Sequence, residues 1–159
     1  MRLIRRTLLA TALLAVTGLA AAADQVPTGP LPRTVVPTLV HLQLKLDPKQ
    51  ARFSGTTRIE ARVAEGTDTI WMHGSDLSIG KAEAVLPDGR RIALKPEEAD
   101  VSGVLKLSAA EQVPAGGVVI EIAYEAPFGQ LQGAYRVRPD GRDYVMTQME
   151  PLGARHAIP

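Results

Sequence analysis

A chain of 159 residues with 18 basic and 17 acidic side chains is sized for one domain, and its formal charge of +1 is too balanced to single out nucleic acid or an anionic membrane surface as partner. It contains no cysteine, which excludes both a disulfide staple and a lipid-modified cysteine. Met1-Arg2-Leu3-Ile4-Arg5-Arg6 forms a basic start, Leu8 to Leu19 is an apolar run broken by Thr11, Thr17 and Gly18, and Ala20 to Ala23 precede Asp24. That order predicts a secretory signal peptide at residues 1–23, cleaved near Ala23. A spanning helix needs about 20 apolar residues, more than this run supplies. Removing Arg2, Arg5 and Arg6 with the leader takes the formal charge to −2. The predicted location is periplasmic or secreted. Residues 24–33, with Pro27, Gly29, Pro30 and Pro32, read as an extended linker, and the domain proper spans 34–159.

Beyond the linker, strand alternation recurs between turn residues. Val40 to Leu46 places Val40, Leu42, Leu44 and Leu46 on one face and His41, Gln43 and Lys45 on the other, and Asp47-Pro48 ends it. Phe53 to Val63 alternates in the same way. Thr69 to His73 is more uniformly apolar and is expected to be central. Ile79 to Leu86 and Arg91 to Leu94 flank Pro87-Asp88-Gly89, a strong turn signal. Pro96 to Asp100 reads as a polar loop, Val104 to Leu107 as a short strand, and Ser108 to Gln112 as one helical turn. Val118 to Tyr124 is the clearest strand, rich in β-branched residues. Ala134 to Arg138 and Arg142 to Thr147 flank a second Pro-Asp-Gly turn. The expectation is an all-β, antiparallel sandwich or saddle of about nine strands.

The chemistry inventory is thin. His41, His73 and His156 show no metal-ligand spacing and no H-E-x-x-H, so no metal site is predicted within the chain. His41 reads as solvated and His73 as a hydrogen-bonded corner residue. No serine sits in a G-x-S-x-G elbow, and no glycine-rich loop opens a helix. No catalytic residue is assigned. The cluster that invites more is Thr147-Gln148-Met149-Glu150. A carboxylate and an amide two residues apart at a strand end project to the same side and can hold an ammonium group together. The same residues also read as a plain solvated strand end.

The final stretch, Met146-Thr147-Gln148-Met149-Glu150-Pro151-Leu152-Gly153-Ala154-Arg155-His156-Ala157-Ile158-Pro159, resembles the end of the N-terminal domain in zinc peptidases of the aminopeptidase N family, T-Q-x-E-P-x-D-A-R-x-x-F-P. Pro32 to Pro37, Phe53-Ser54-Gly55 with Ile59, Ile70-Trp71-Met72-His73 with Leu77, and Gly133-Ala134-Tyr135-Arg136 resemble further motifs of that family, in its order. The sequence departs from the pattern at Val40, Ala134, Gly153 and Ile158. The resemblance implies a β-rich saddle packed on a catalytic domain that carries the zinc. It implies that Glu150 anchors the substrate's free α-amino group and that Gln148 lines the pocket for the first side chain. The zinc-binding H-E-x-x-H lies outside these residues, so no cofactor is assigned to the chain itself and no activity is expected of it alone. The implied partners are peptide N-termini and a catalytic domain, on the same or a separate chain. The rival expectations are an exported β module that binds a partner without peptidase activity, and a broken reading frame.

Overall fold

A computed structural model describes residues 25–150 and 152–159. The export segment expected at residues 1–23 lies outside them. Nine strands appear among the described residues: β1 (Val35–Lys45), β2 (Arg52–Val63), β3 (Thr67–His73), β4 (Ser78–Val85), β5 (Arg91–Asp100), β6 (Val104–Val113), β7 (Gly116–Pro127), β8 (Gly133–Val137) and β9 (Tyr144–Gln148). Seven form one curled antiparallel sheet in the order β1-β2-β7-β4-β5-β6-β3, and β8 and β9 form a separate hairpin. The all-β, antiparallel expectation holds.

The alternation in β2 and β7 builds the centre. The two strands pair along their whole length, with Ile59 opposite Ile120, Thr57 opposite Ile122 and Ala61 opposite Val118. Because opposite residues share a face, these side chains form one buried surface while Arg58, Glu60 and Glu121 look outward. The sheet curls through β5. Arg91 to Ala93 pair with β4, and Leu94 to Asp100 pair with β6. Ile70, Leu105 and Leu107 are thereby brought over Ile59, Ile92 and Ile120 in one core. Burying each such side chain contributes about 1.5–3 kcal/mol.

Three local expectations are corrected. Thr69 to His73 lies in an edge strand, since β3 ends the sheet and pairs only with β6. It is apolar because the curl buries Ile70, and because the Lys106 ammonium covers the Trp71 ring from 5.5 Å. Pro96 to Asp100 is the second half of β5. Past Ala93 this half has β6 on one side only, and a strand edge tolerates both proline and exposed charge. Ser108 to Gln112 continues β6, where a register shift against Thr67 to Thr69 keeps the extra residues extended and brings Val113 back into the core.

Both Pro-Asp-Gly segments are turns. The first joins β4 to β5, with the Leu86 and Gly89 amides donating within it. The second joins β8 to β9, where Arg138 pairs with both oxygens of Asp143 at 2.6 and 2.9 Å. The linker residues 25–33 carry no strand, and no helix among the described residues is long and apolar enough to cross a membrane.

Candidate functional site

Gln148 ends β9, and Glu150 follows it in a turn. Met149, between them, packs against the core, while its two neighbours are exposed. Gly133, the β8 partner of Gln148, is buried beneath the tail, where a Cβ would meet the Gly153 carbonyl oxygen at 3.2 Å. Gln148 and Glu150 are both exposed to solvent there.

The hairpin is fixed from two directions. On one side Arg136 donates to the backbone oxygens of Gln50 at 3.1 Å and Pro48 at 3.4 Å, and its guanidinium lies 5.4 Å from the Phe128 ring. On the other, the chain after Glu150 doubles back in a 3-10 turn, Gly153–His156, that wedges between the hairpin and the large sheet. The Ala154 amide donates to the Met149 carbonyl at 3.2 Å. Gly153 is required for that approach, because a Cβ there would sit 2.4 Å from the Gln148 carbonyl oxygen.

The same turn is tied to the sheet. The Ser75 amide donates to the Arg155 carbonyl at 2.8 Å, the Arg155 guanidinium donates to the Ser102 carbonyl, and His156 Nδ1 lies 3.2 Å from Asp76 Oδ2. Deepest is Tyr124, 3% exposed, whose hydroxyl donates to the buried Ala157 carbonyl at 2.7 Å. Its ring lies directly over Gly55, the glycine of Phe53-Ser54-Gly55. Burial pushes the Tyr124 phenol above its usual pKa, opposed by the nearby Thr57 hydroxyl, which approaches without a hydrogen bond of standard geometry.

Two other surface features stand out. An open groove of about 490 Å³ runs between the inner face of β1 and β2 and the edge strand β3, lined by Val40, Ile59, Ile70 and Met72 and reaching Ile158. Along β1, Leu39, Val40 and Leu42 remain exposed, and the charged residues on the groove wall, Arg33 and Arg155, are both basic. On the outer face, Arg58, Glu121, Arg91, Glu83 and Lys81 form a ladder of ion pairs across four strands. Arg58 meets Glu121 at 2.7 Å, Arg91 bridges Glu121 to Glu83, and Lys81 meets Glu83 at 3.0 Å. Hydrogen bonds from Lys81 and Arg91 hold the Glu83 carboxyl below its usual pKa, and the Arg91 hydrogen bond does the same to Glu121. These charges satisfy one another and leave no unpaired cation or anion for a ligand.

Among the described residues no group of three or more His, Cys, Asp or Glu could hold a metal ion. The histidines lie apart: His41 on β1 beside Glu60 at 4.0 Å, His73 exposed at the end of β3, His156 in the tail. His73 has no side-chain hydrogen bond among the described residues, so it is a solvated corner. Zinc does not fit these residues. The sequence singles out Gln148 and Glu150 as candidates, and it presents Tyr124 only as the end of a strand.

Residues 36–159 match the peptidase M1 N-terminal domain. Rat (Rattus norvegicus) endoplasmic reticulum aminopeptidase 1 is 31% identical over 142 residues, covering 81% of this chain and 15% of the relative. An aminopeptidase N of Acetobacter pasteurianus is 29% identical over 168 residues, covering 98% of this chain and 46% of the relative. Aminopeptidase M1 of Arabidopsis thaliana is 25% identical over 138 residues, covering 81% and 16%. The chain thus spans less than half the length of each of these relatives.

Proposed function

Because the chain belongs to the peptidase M1 N-terminal domain family, we propose that it is the amine-anchoring domain of an exported zinc-dependent aminopeptidase, acting beside a catalytic domain that lies outside these residues. The observation that carries this reading is the exposed Gln148–Glu150 pair, set on either side of the core-packed Met149 at the end of a hairpin braced from both sides. An exopeptidase needs the substrate's ammonium group held at a fixed distance from the scissile carbonyl. The Glu150 carboxylate supplies the charge and the Gln148 amide oxygen a second acceptor. The export leader supports a periplasmic or secreted location. Zinc would be held by the catalytic domain, where it polarises the carbonyl and activates water. The apolar groove beside β1, with its basic wall, is the face offered to that domain.

In the isolated chain the pair is solvated. An exposed ion pair is worth only about 0–1 kcal/mol, so amine binding is weak and must be read without saturation. The test is an amide NMR titration with leucinamide against N-acetyl-leucinamide at constant ionic strength. The shift slopes at Gln148 and Glu150 are expected to be several-fold steeper for the free amine, and Glu150→Gln should remove the difference. Equal slopes for the two compounds would refute the anchor. Incubation with zinc and an aminoacyl-anilide is expected to give no turnover, and clear hydrolysis would reveal a catalytic centre absent from this account. A second reading, an exported module that binds a partner protein without peptidase activity, draws on the same groove; equal slopes combined with a stable complex through β1 would favour it.

A further inference from the structure

Three hydrogen bonds in series connect the middle of the large sheet to the proposed amine anchor. The Tyr124 hydroxyl donates to the Ala157 carbonyl at 2.7 Å, the Ala157 amide donates to the Ala154 carbonyl at 2.9 Å, and the Ala154 amide donates to the Met149 carbonyl at 3.2 Å. Met149 is the residue between Gln148 and Glu150. We propose that Tyr124 is a positioning residue for that pair: its hydroxyl fixes the tail, and through the tail the direction in which Gln148 and Glu150 present their oxygens. The inference rests on the amine-anchor reading above.

The geometry makes the hydroxyl more than one packing contact among many. Ala157 is fully buried, so its carbonyl has no water to turn to when the tyrosine oxygen is withdrawn. The ring cannot be displaced freely, since it is seated on Gly55 with no room for even a Cβ between them. At the other end of the relay the tail touches the hairpin through backbone. Gly153 lies against the Gln148 carbonyl, and a Cβ built on Gly133 would meet the His156 Cβ at 3.1 Å and the Gly153 carbonyl oxygen at 3.2 Å. A close backbone contact of this kind transmits a shift of the tail to residues 148–150, because nothing flexible lies between to absorb it. Tyr124 stands on β7, paired on both sides by β2 and β4, whereas Gln148 ends a strand of a two-stranded hairpin and Glu150 follows it. The relay gives the exposed pair the rigidity of the interior.

The experiment uses the whole chain and three variants. Tyr124→Phe removes the hydroxyl and keeps the ring. Ile92→Val, on β5 outside the relay, serves as a control of similar stability loss. Glu150→Gln tests the anchor itself. Backbone amide shifts and 15N relaxation of residues 148–150 are read first without ligand, then the leucinamide slope is measured. Tyr124→Phe is expected to move the 148–150 shifts, raise their fast mobility and lower the leucinamide slope at least about threefold, while Ile92→Val changes none of these. If Tyr124→Phe leaves residues 148–150 unmoved, or if Ile92→Val moves them equally, Tyr124 does not position the pair and the inference fails. If Glu150→Gln leaves the slope intact, the anchor reading fails, and the ligand-free shifts and relaxation still decide whether Tyr124 orients the segment.

Discussion

Replacing Gly55 by alanine should cost far more than the addition of one methyl group suggests. A Cβ at position 55 would lie 2.4 Å from Tyr124 Cζ and 2.5 Å from its hydroxyl oxygen. Ordinary carbon contacts begin near 3.4 Å, so the ring tip must move by about 1 Å. The hydroxyl sits 2.7 Å from the Ala157 carbonyl, and such a move takes it out of hydrogen-bond range. Leaving that buried carbonyl unpaired costs about 1–3 kcal/mol, and overpacking adds about 1–3 kcal/mol. Against this, alanine gains about 0.5–1 kcal/mol over glycine in a strand. The net expectation for Gly55→Ala is about 1–5 kcal/mol of destabilisation. Urea unfolding followed by the single tryptophan, Trp71, and by near-ultraviolet circular dichroism reads it as a lower midpoint at unchanged slope. The decisive comparison is a double-mutant cycle. In a Tyr124→Leu background the collision is relieved, and Gly55→Ala should cost less than about 1 kcal/mol. A cost within about 0.5 kcal/mol of zero in the parent chain, or the same cost in both backgrounds, would show that the ring does not lie where this reasoning needs it.

The remaining expectations concern pH. Burial raises the folded-state pKa of Tyr124 above the usual 10.0, so its contribution is complete below pH 10 and disappears as pH climbs through the folded value. Urea midpoints measured from pH 8 upward should fall more steeply for the parent chain than for Tyr124→Phe, and parallel curves would contradict this. On the acid side, Glu83 and Glu121 have folded pKa values depressed below 4.5, chiefly by hydrogen bonds from Lys81 and Arg91 respectively. Their contribution is present above about pH 4.5 and is lost as pH falls through the folded values. Arg91→Gln should flatten that acid limb and weaken its dependence on salt, since the pairs lie at the surface. An unchanged limb would mean that the ladder adds nothing to stability.

Much of the architecture is legible in the residues because two strands advertise themselves. Phe53 to Val63 and Val118 to Tyr124 alternate so regularly that strand and buried face follow together, and both Pro-Asp-Gly segments mark their hairpins. Two of the three misreadings share one cause. Pro96 to Asp100 looks like a loop because it is polar and contains proline, and both properties are permitted by an edge that exists only after the sheet has curled. Thr69 to His73 looks central because it is apolar, yet that apolarity answers to contacts across the curl and to Lys106. The candidate pair Gln148 and Glu150 came from local spacing and from the family resemblance. What steadies it did not, because Tyr124 and Ala157 lie 33 positions apart. A hydrogen bond between a strand tyrosine and a tail carbonyl leaves no periodic trace in a sequence.

The position of β7 has a consequence for biosynthesis. It is the keystone between two blocks: without it β1 and β2 form one pair, β4, β5, β6 and β3 form another group, and no backbone ladder joins them. A ribosome delivers β2 well before Pro127 emerges, so a nascent chain carries the apolar side of β2 with its principal neighbour still unmade. Completion of the sheet is a late event that waits on one segment.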